Sequence, residues 1–180
     1  NTSGRTNYAK GQRTNYANSY IINMVYYNTD KLVYHGFNAV ITPIRDINFH
    51  TFYYKDPNLA TTHDTAWVTC IIMHLKAGND TGDPEDRAAE VTLLMDYLDA
   101  INKPGNYLAM GDFNTYTSDE DCYQLLVNHD NTNIRFYDPI SKPGDWYSNY
   151  SFAAYHTQST HSSSNDCAAA GGMDDRFDHI

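Results

Sequence analysis

Positive charge is scarce in this chain. Its 180 residues hold 12 Lys and Arg against 22 Asp and Glu, a formal net charge of −10. No basic stripe is available to lie along a nucleic-acid duplex, which counts against strong nonspecific binding to a phosphate backbone. It does not exclude an enzyme that meets phosphate through a metal ion, because the cation reverses the local field. Cysteine is sparse too. Cys70, Cys122 and Cys167 fall at no paired zinc-ligand spacing. No apolar run approaches the ~20 residues of a membrane span, so none is expected. P-loops, glycine-rich dinucleotide turns and nucleophile-elbow serines are missing. No leader pattern is visible, and a mature secreted chain would have lost one. Scarce Lys beside abundant Asn, Thr, Ser and Tyr points to a secreted protein, extracellular or periplasmic.

What is present suits one domain with a sizeable core. Near the start, Arg5-Thr6-Asn7-Tyr8-Ala9 recurs as Arg13-Thr14-Asn15-Tyr16-Ala17. Two five-residue copies make no repeat architecture and read as a loop or hairpin leading into a strand. Strand patterns follow at 20–27, 31–36 and 39–55, the last marked by Pro43 as an edge, a break or a bulge. Residues 66–76, "AWVTCIIMHLK", are nearly all apolar or β-branched, which suits a central strand covered on both faces. A helix is expected from Asp83, as cap, and Pro84, with Val91, Leu94, Leu98 and Ile101 on one stripe. A weaker helix is expected over 118–128. Residues 141–176 read as long loops whose aromatics, Trp146, Tyr147, Tyr150, Phe152 and Tyr155, suit loop packing or contact with bases or lipid.

The informative stretch is "LAMGDFNTY", 108–116. A hydrophobic strand ends at Gly111 and then presents a carboxylate, an aromatic and an amide. If the extended geometry persists, Asp112 and Asn114 project together. A strand end followed by a turn accounts for the same residues. His74 closes the strand before the helix. If the strands flanking that helix are parallel, His74 and Asp112 share the sheet edge where open α/β sheets place their sites. Asp178 adds a second carboxylate. A histidine with two carboxylates suits acid–base chemistry, and oxygen ligands around a metal suit phosphoester hydrolysis.

The series "YYNTDKL", "IIMHLKAG", "RAAEVTLLMDYL", "MGDFN" and "DDRFDHI" resembles, in order and approximate spacing, the endonuclease/exonuclease/phosphatase superfamily. The resemblance spans about residues 20 to 180. It implies an α+β fold, a four-layer α/β/β/α sandwich of two packed mixed sheets, here a single partial domain over 1–180 incomplete at both termini. It implies that His74 contacts the scissile phosphate and helps protonate the leaving oxygen. Asp112 would orient or deprotonate the attacking water beside a metal, as a metal ligand itself. Asn114 would stabilise the developing charge and bind substrate, and Asp178 would orient a second histidine. Lys76 and Arg87 are candidates to face phosphate, with surface solvation as the plainer reading; Arg176 suits a structural salt bridge. The implied cofactor is Mg2+, with Mn2+ or Ca2+ as alternatives.

The departures matter equally. The family's metal-binding glutamate and first asparagine lie upstream of anything in this sequence, and its Ser-Asp-His histidine lies downstream. His179 occupies a position that is aromatic or aliphatic in the family. The resemblance to secreted deoxyribonucleases further implies a Cys122–Cys167 disulfide, with Cys70 a buried free thiol. The expected activity is metal-dependent phosphodiester hydrolysis of a nuclease-like kind, on DNA or RNA. The alternatives are a lipid or inositol-phosphate phosphoesterase and a noncatalytic module of the same fold. Open sheet edges would favour self-association.

Overall fold

The break expected at Pro43 is where the first long strand stops. In this computed structural model, which describes residues 4, 6–157 and 172–180, that strand ends at Val40 and the next begins at Ile47. The chain forms two compact units, Asn1–Met73 with Lys103–Met110, and His74–Asn102 with Gly111–Ile180.

In the first unit, β1 (Tyr8–Lys10) pairs antiparallel with β2 (Tyr26–Asn28). The two pentapeptide copies fold differently. The first supplies β1. In the second, Asn15 receives the Ser19 N–H at 2.9 Å and donates to the Ser19 carbonyl at 2.8 Å, a local bond that competes with strand pairing. Most of the strand expected over 20–27 is likewise irregular. Buried Asn23 donates to the backbone carbonyl of Asp46 at 2.8 Å, a side-chain bond in place of a ladder bond.

Strand β3 (Leu32–Val40) pairs antiparallel with β4 (Ile47–Tyr54), with a register shift between Tyr34 and Gly36. Strand β5 (Trp67–His74) pairs antiparallel with β4, and β6 (Tyr107–Asp112) lies beside β5. Val40, Ile47, Phe49, Phe52, Ile71 and Met73 form this unit's apolar core. A one-turn helix, α1 (Leu59–Thr62), stands where no element was expected. It starts where Asp56 accepts the Asn58 N–H at 2.7 Å.

Strands β5 and β6 are parallel. The Thr69 N–H donates to Asn106 O and the Leu75 N–H to Asp112 O. Both bonds carry one offset, 106 − 69 = 112 − 75 = 37, and a constant offset marks parallel register. Pairing with β4 is antiparallel, so the sheet is mixed.

In the second unit, α2 (Asp83–Ile101) follows β5. Its N-cap is Gly82, not Asp83. The Asp83 carboxylate instead accepts from Lys76 Nζ and, at 3.0 Å, from the Asp80 N–H. Val91, Leu94 and Leu98 are buried as expected, while Ile101, the last helical residue, is exposed. Helix α3 (Asp121–Val127) lies inside the weaker helical segment. A 3₁₀ helix, Tyr150–Tyr155, occupies part of the expected loop, with Asn149 accepting the Ser151 N–H at 3.1 Å. Strand β7 (Asp178–His179) pairs antiparallel with the end of β6. Among the described residues the chain is thus α+β with two sheets, of five and two strands, the class the sequence implied. Among the described residues no helix is long and apolar enough to cross a membrane.

Gly78 joins β5 to α2 with φ +104°, and a Cβ there would collide with Asp83 Oδ2. We expect Gly78→Ala to lower stability by about 1–3 kcal/mol, the cost of a strained backbone region, read as a lower thermal midpoint with unchanged far-UV dichroism.

His179 is packed as a core aromatic. It is buried, stacks on Phe113 at 4.9 Å and lies 5.5 Å from Trp146. Its Nε2–H donates to Arg176 O at 2.9 Å. Burial, aided by Arg176, pulls its pKa from 6.5 down to about 4. The folded ring therefore stays neutral while the unfolded ring protonates. Its stabilising contribution is whole above pH 6.5 and falls as pH drops toward 4, by up to about 3 kcal/mol. Denaturant titrations from pH 7 to 4 should show a shallower acid loss for His179→Phe than for the parent. Equal slopes would remove this account.

Candidate active site

Both expected residues at the parallel strand ends meet in the second unit. His74 closes β5 and Asp112 closes β6, with His74 Nε2 3.5 Å from Asp112 Oδ2. Both side chains are partly open to solvent, at 22% and 35%. The other oxygen of Asp112 accepts the Asn114 N–H at 3.0 Å, so the carboxylate has a fixed orientation with one oxygen toward the imidazole. Asp178 lies opposite Asp112 in the β6–β7 register, and directly opposed residues share a face. Although Asp178 is exposed as a residue, partial desolvation and then the Asp112 charge raise its carboxyl pKa, with His74 acting in the other direction. Two acids and an imidazole therefore interact at one sheet edge.

Asn114 does not project as expected. The strand runs through Gly111 (φ +137°) and ends at Asp112, and Asn114 adopts φ +50°, a left-handed conformation that asparagine tolerates better than most residues. Its side chain turns inward, is buried, and donates from Nδ2 to Leu75 O at 3.1 Å. The amide links the ends of β5 and β6 and keeps its second hydrogen for another acceptor. Lys76 is occupied: its ammonium donates to Asp83 and to Ala77 O, and its N–H donates to Glu90 at 2.8 Å.

Arg87 is neither a phosphate-facing nor a solvated surface residue. It is fully buried and donates from Nε to Glu120 Oε2 at 2.7 Å. Its charge suggested solvent; its place on the inner face of α2, beside buried Glu90 and Val91, is the signal that could have corrected this. Arg176 forms the structural ion pair expected of it, a fork onto Asp138 at 2.8 Å for both bonds. The expected disulfide is corrected. Cys122 is a free buried thiol whose Sγ lies 3.7 Å from Glu120 Oε2. Burial and then the Glu120 charge push its pKa up to about 12. Cys167 lies outside the described residues. Cys70 is free and half-buried, with its pKa raised by desolvation. Trp146 is fully buried, with Nε1 donating to Lys142 O at 2.9 Å, whereas Tyr147 and Tyr150 stand exposed.

Asp112 and Asp178 are carboxylates of the kind magnesium prefers, but that ion demands near-octahedral oxygen coordination. Among the described residues no three His, Cys, Asp or Glu side chains are placed to hold one ion. The residues present do not by themselves fit the implied metal.

No protein-family model matches the chain, and no curated protein matches it. Solved structures do. The human Nocturnin catalytic domain, with a bound sulfate anion, is 17% identical over 57% of this chain and 37% of that one, with a TM-score of 0.43. A functionally unknown conserved protein from Enterococcus faecalis is 24% identical over 57% and 41%, at 0.40. An endonuclease/exonuclease/phosphatase family protein from Bacteroides thetaiotaomicron is 14% identical over 71% and 47%, at 0.44. The chain spans less than half the length of each.

Proposed function

We propose that these residues belong to a phosphoester hydrolase, a nuclease-like phosphodiesterase that uses in-line attack of water. The observation that carries the reading is the 3.5 Å approach of His74 Nε2 to Asp112 Oδ2 at the ends of parallel strands. The motif series that includes "MGDFN" and "DDRFDHI" supports it. Asp112 accepts a proton from water as its oxygen attacks phosphorus. The P–O ester bond breaks, and protonated His74 gives its proton to the departing oxygen. Transfer from Asp112 to His74 then resets the pair. Asp178 lies beside both, and its negative charge favours the protonated form of His74. Asn114 offers its remaining amide hydrogen to a phosphoryl oxygen. A divalent ion, magnesium with manganese or calcium as alternatives, would supply positive charge at the phosphate. The described residues do not form its site, and the steps above are those of the side chains alone.

The substrate class is a phosphodiester, DNA or RNA first. Secretion rests on composition, since Cys122 is unbridged. Self-association through a sheet edge is the proposed mode of assembly. The full-length protein should be offered bis-para-nitrophenyl phosphate, single-stranded DNA, sphingomyelin and an inositol phosphate, with and without magnesium. Cleavage of the aryl diester and DNA is expected. Cleavage restricted to sphingomyelin or the inositol phosphate would reassign the substrate. Absence of turnover on all of them would make this a binding module.

A further inference from the structure

We infer that Arg87 and Glu120 are positioning residues for the His74–Asp112 pair, an inference that rests on the hydrolase reading above. Arg87 sits in the second turn of α2 and is fully buried. Its Nε donates to Glu120 Oε2 at 2.7 Å. Its Nη1 donates to the carbonyls of Lys76, at 3.0 Å, and Gly78, at 2.7 Å. The other oxygen of Glu120 accepts the Tyr116 N–H at 2.7 Å. The Tyr116 ring lies against the guanidinium, 5.5 Å from centroid to Cζ.

One side-chain pair therefore grips two backbone segments. The first leaves β5, and Lys76 is two residues beyond His74. The second leaves β6, and Tyr116 is four residues beyond Asp112. Glu90, on the same face of α2, adds a grip on the first segment through the Lys76 N–H at 2.8 Å. Asn114 ties the segments directly through Leu75 O at 3.1 Å.

Stability alone does not account for this pair. Buried ion pairs can often be replaced by apolar groups of similar volume at little cost to folding. What such groups cannot reproduce is the planar fork, which sets two carbonyls and a carboxylate at fixed mutual positions. That precision matters at the site. At 3.5 Å the His74–Asp112 contact is already longer than the ~2.7–2.9 Å of a tight charge-assisted bond. A further shift of either strand end opens it, and a misplacement of about 1 Å can cost about a hundredfold in rate. Arg87 and Glu120 touch no substrate in this arrangement; they act through the backbone of the residues that do.

The test uses the full-length protein with Arg87→Lys, Glu120→Gln and Arg87→Ala. For each, kcat and KM on bis-para-nitrophenyl phosphate are measured per folded molecule, with the folded fraction taken from circular dichroism. The His74 ring resonances are recorded at one fixed pH. We expect kcat to fall by about tenfold or more in the first two variants while KM changes little, the signature of lost transition-state geometry. Millimolar guanidinium should restore part of the Arg87→Ala rate without changing its folded fraction, and the His74 resonances should move. Unchanged kcat per folded molecule, or His74 resonances that stay in place, would overturn the inference. Should the parent protein cleave no phosphodiester, the hydrolase reading fails separately. The His74 resonances then decide the clamp alone: displaced in Arg87→Lys they support it, unmoved they overturn it.

Discussion

His74→Ala and Asp112→Asn should each reduce turnover of the full-length protein by about a hundredfold or more, the scale of lost acid–base and electrostatic roles. Both side chains are partly exposed, so neither substitution leaves a large cavity. Asparagine at 112 can still accept the Asn114 N–H that Asp112 now accepts at 3.0 Å. The fold should therefore survive, and thermal midpoints should stay within a few degrees of the parent. Steady-state rates on an aryl phosphodiester, taken beside melting curves, separate chemistry from stability. Near-normal turnover in either variant would remove the role assigned to that residue.

The largest effect on stability is expected at Arg176. Its guanidinium forks onto Asp138 at 2.8 Å for both bonds, and Tyr123 donates its hydroxyl to the same carboxylate at 2.8 Å. The indole of fully buried Trp146 lies 5.1 Å from the cation. Arg176→Met would leave the Asp138 charge buried with one remaining side-chain donor. Removing one partner of a buried pair costs about 3–5 kcal/mol, against a typical total of roughly 5–15 kcal/mol. Chemical denaturation should show a loss of that size. The pH dependence follows from Asp138. Burial acts to raise its pKa, but the Arg176 fork and the Tyr123 hydroxyl overcome burial and hold the carboxyl well below its usual 3.8. The contribution is thus present at neutral pH and lost as pH falls below 3.8. Arg176→Met should lose this part of the acid sensitivity; a full acid transition would argue against the pair as its source.

Periodicity and turn chemistry made much of the scaffold legible. The Pro84 start and apolar stripe of α2, the apolar run of β5 and the break at Pro43 each reflect a local preference that the whole fold reinforces. The His74–Asp112 meeting followed from one condition, parallel strands, which the shared 37-residue offset satisfies. What local pattern could not reveal were cases in which a distant partner decides. Two identical pentapeptides diverge because β2 pairs with only one of them. Asn114 leaves the strand pattern because Leu75 O captures its amide. Arg87 read as a solvated charge, yet it is buried because Glu120, 33 residues further along the chain, supplies its carboxylate partner. Cys122 likewise packs as a small apolar residue beside Glu120 rather than as half of a bridge.

The β6–β7 pairing also has a consequence in time. Val40 meets Ile47 across seven positions, but Asp178 meets Asp112 across 178 − 112 = 66. Loop-closure entropy grows with separation, and contacts between distant residues slow folding. The β3–β4 hairpin can therefore zip early, while β7 docks among the last events of folding. During synthesis His74 and Asp112 emerge well before Asp178, so the three side chains come together at this sheet edge only once β7 has docked.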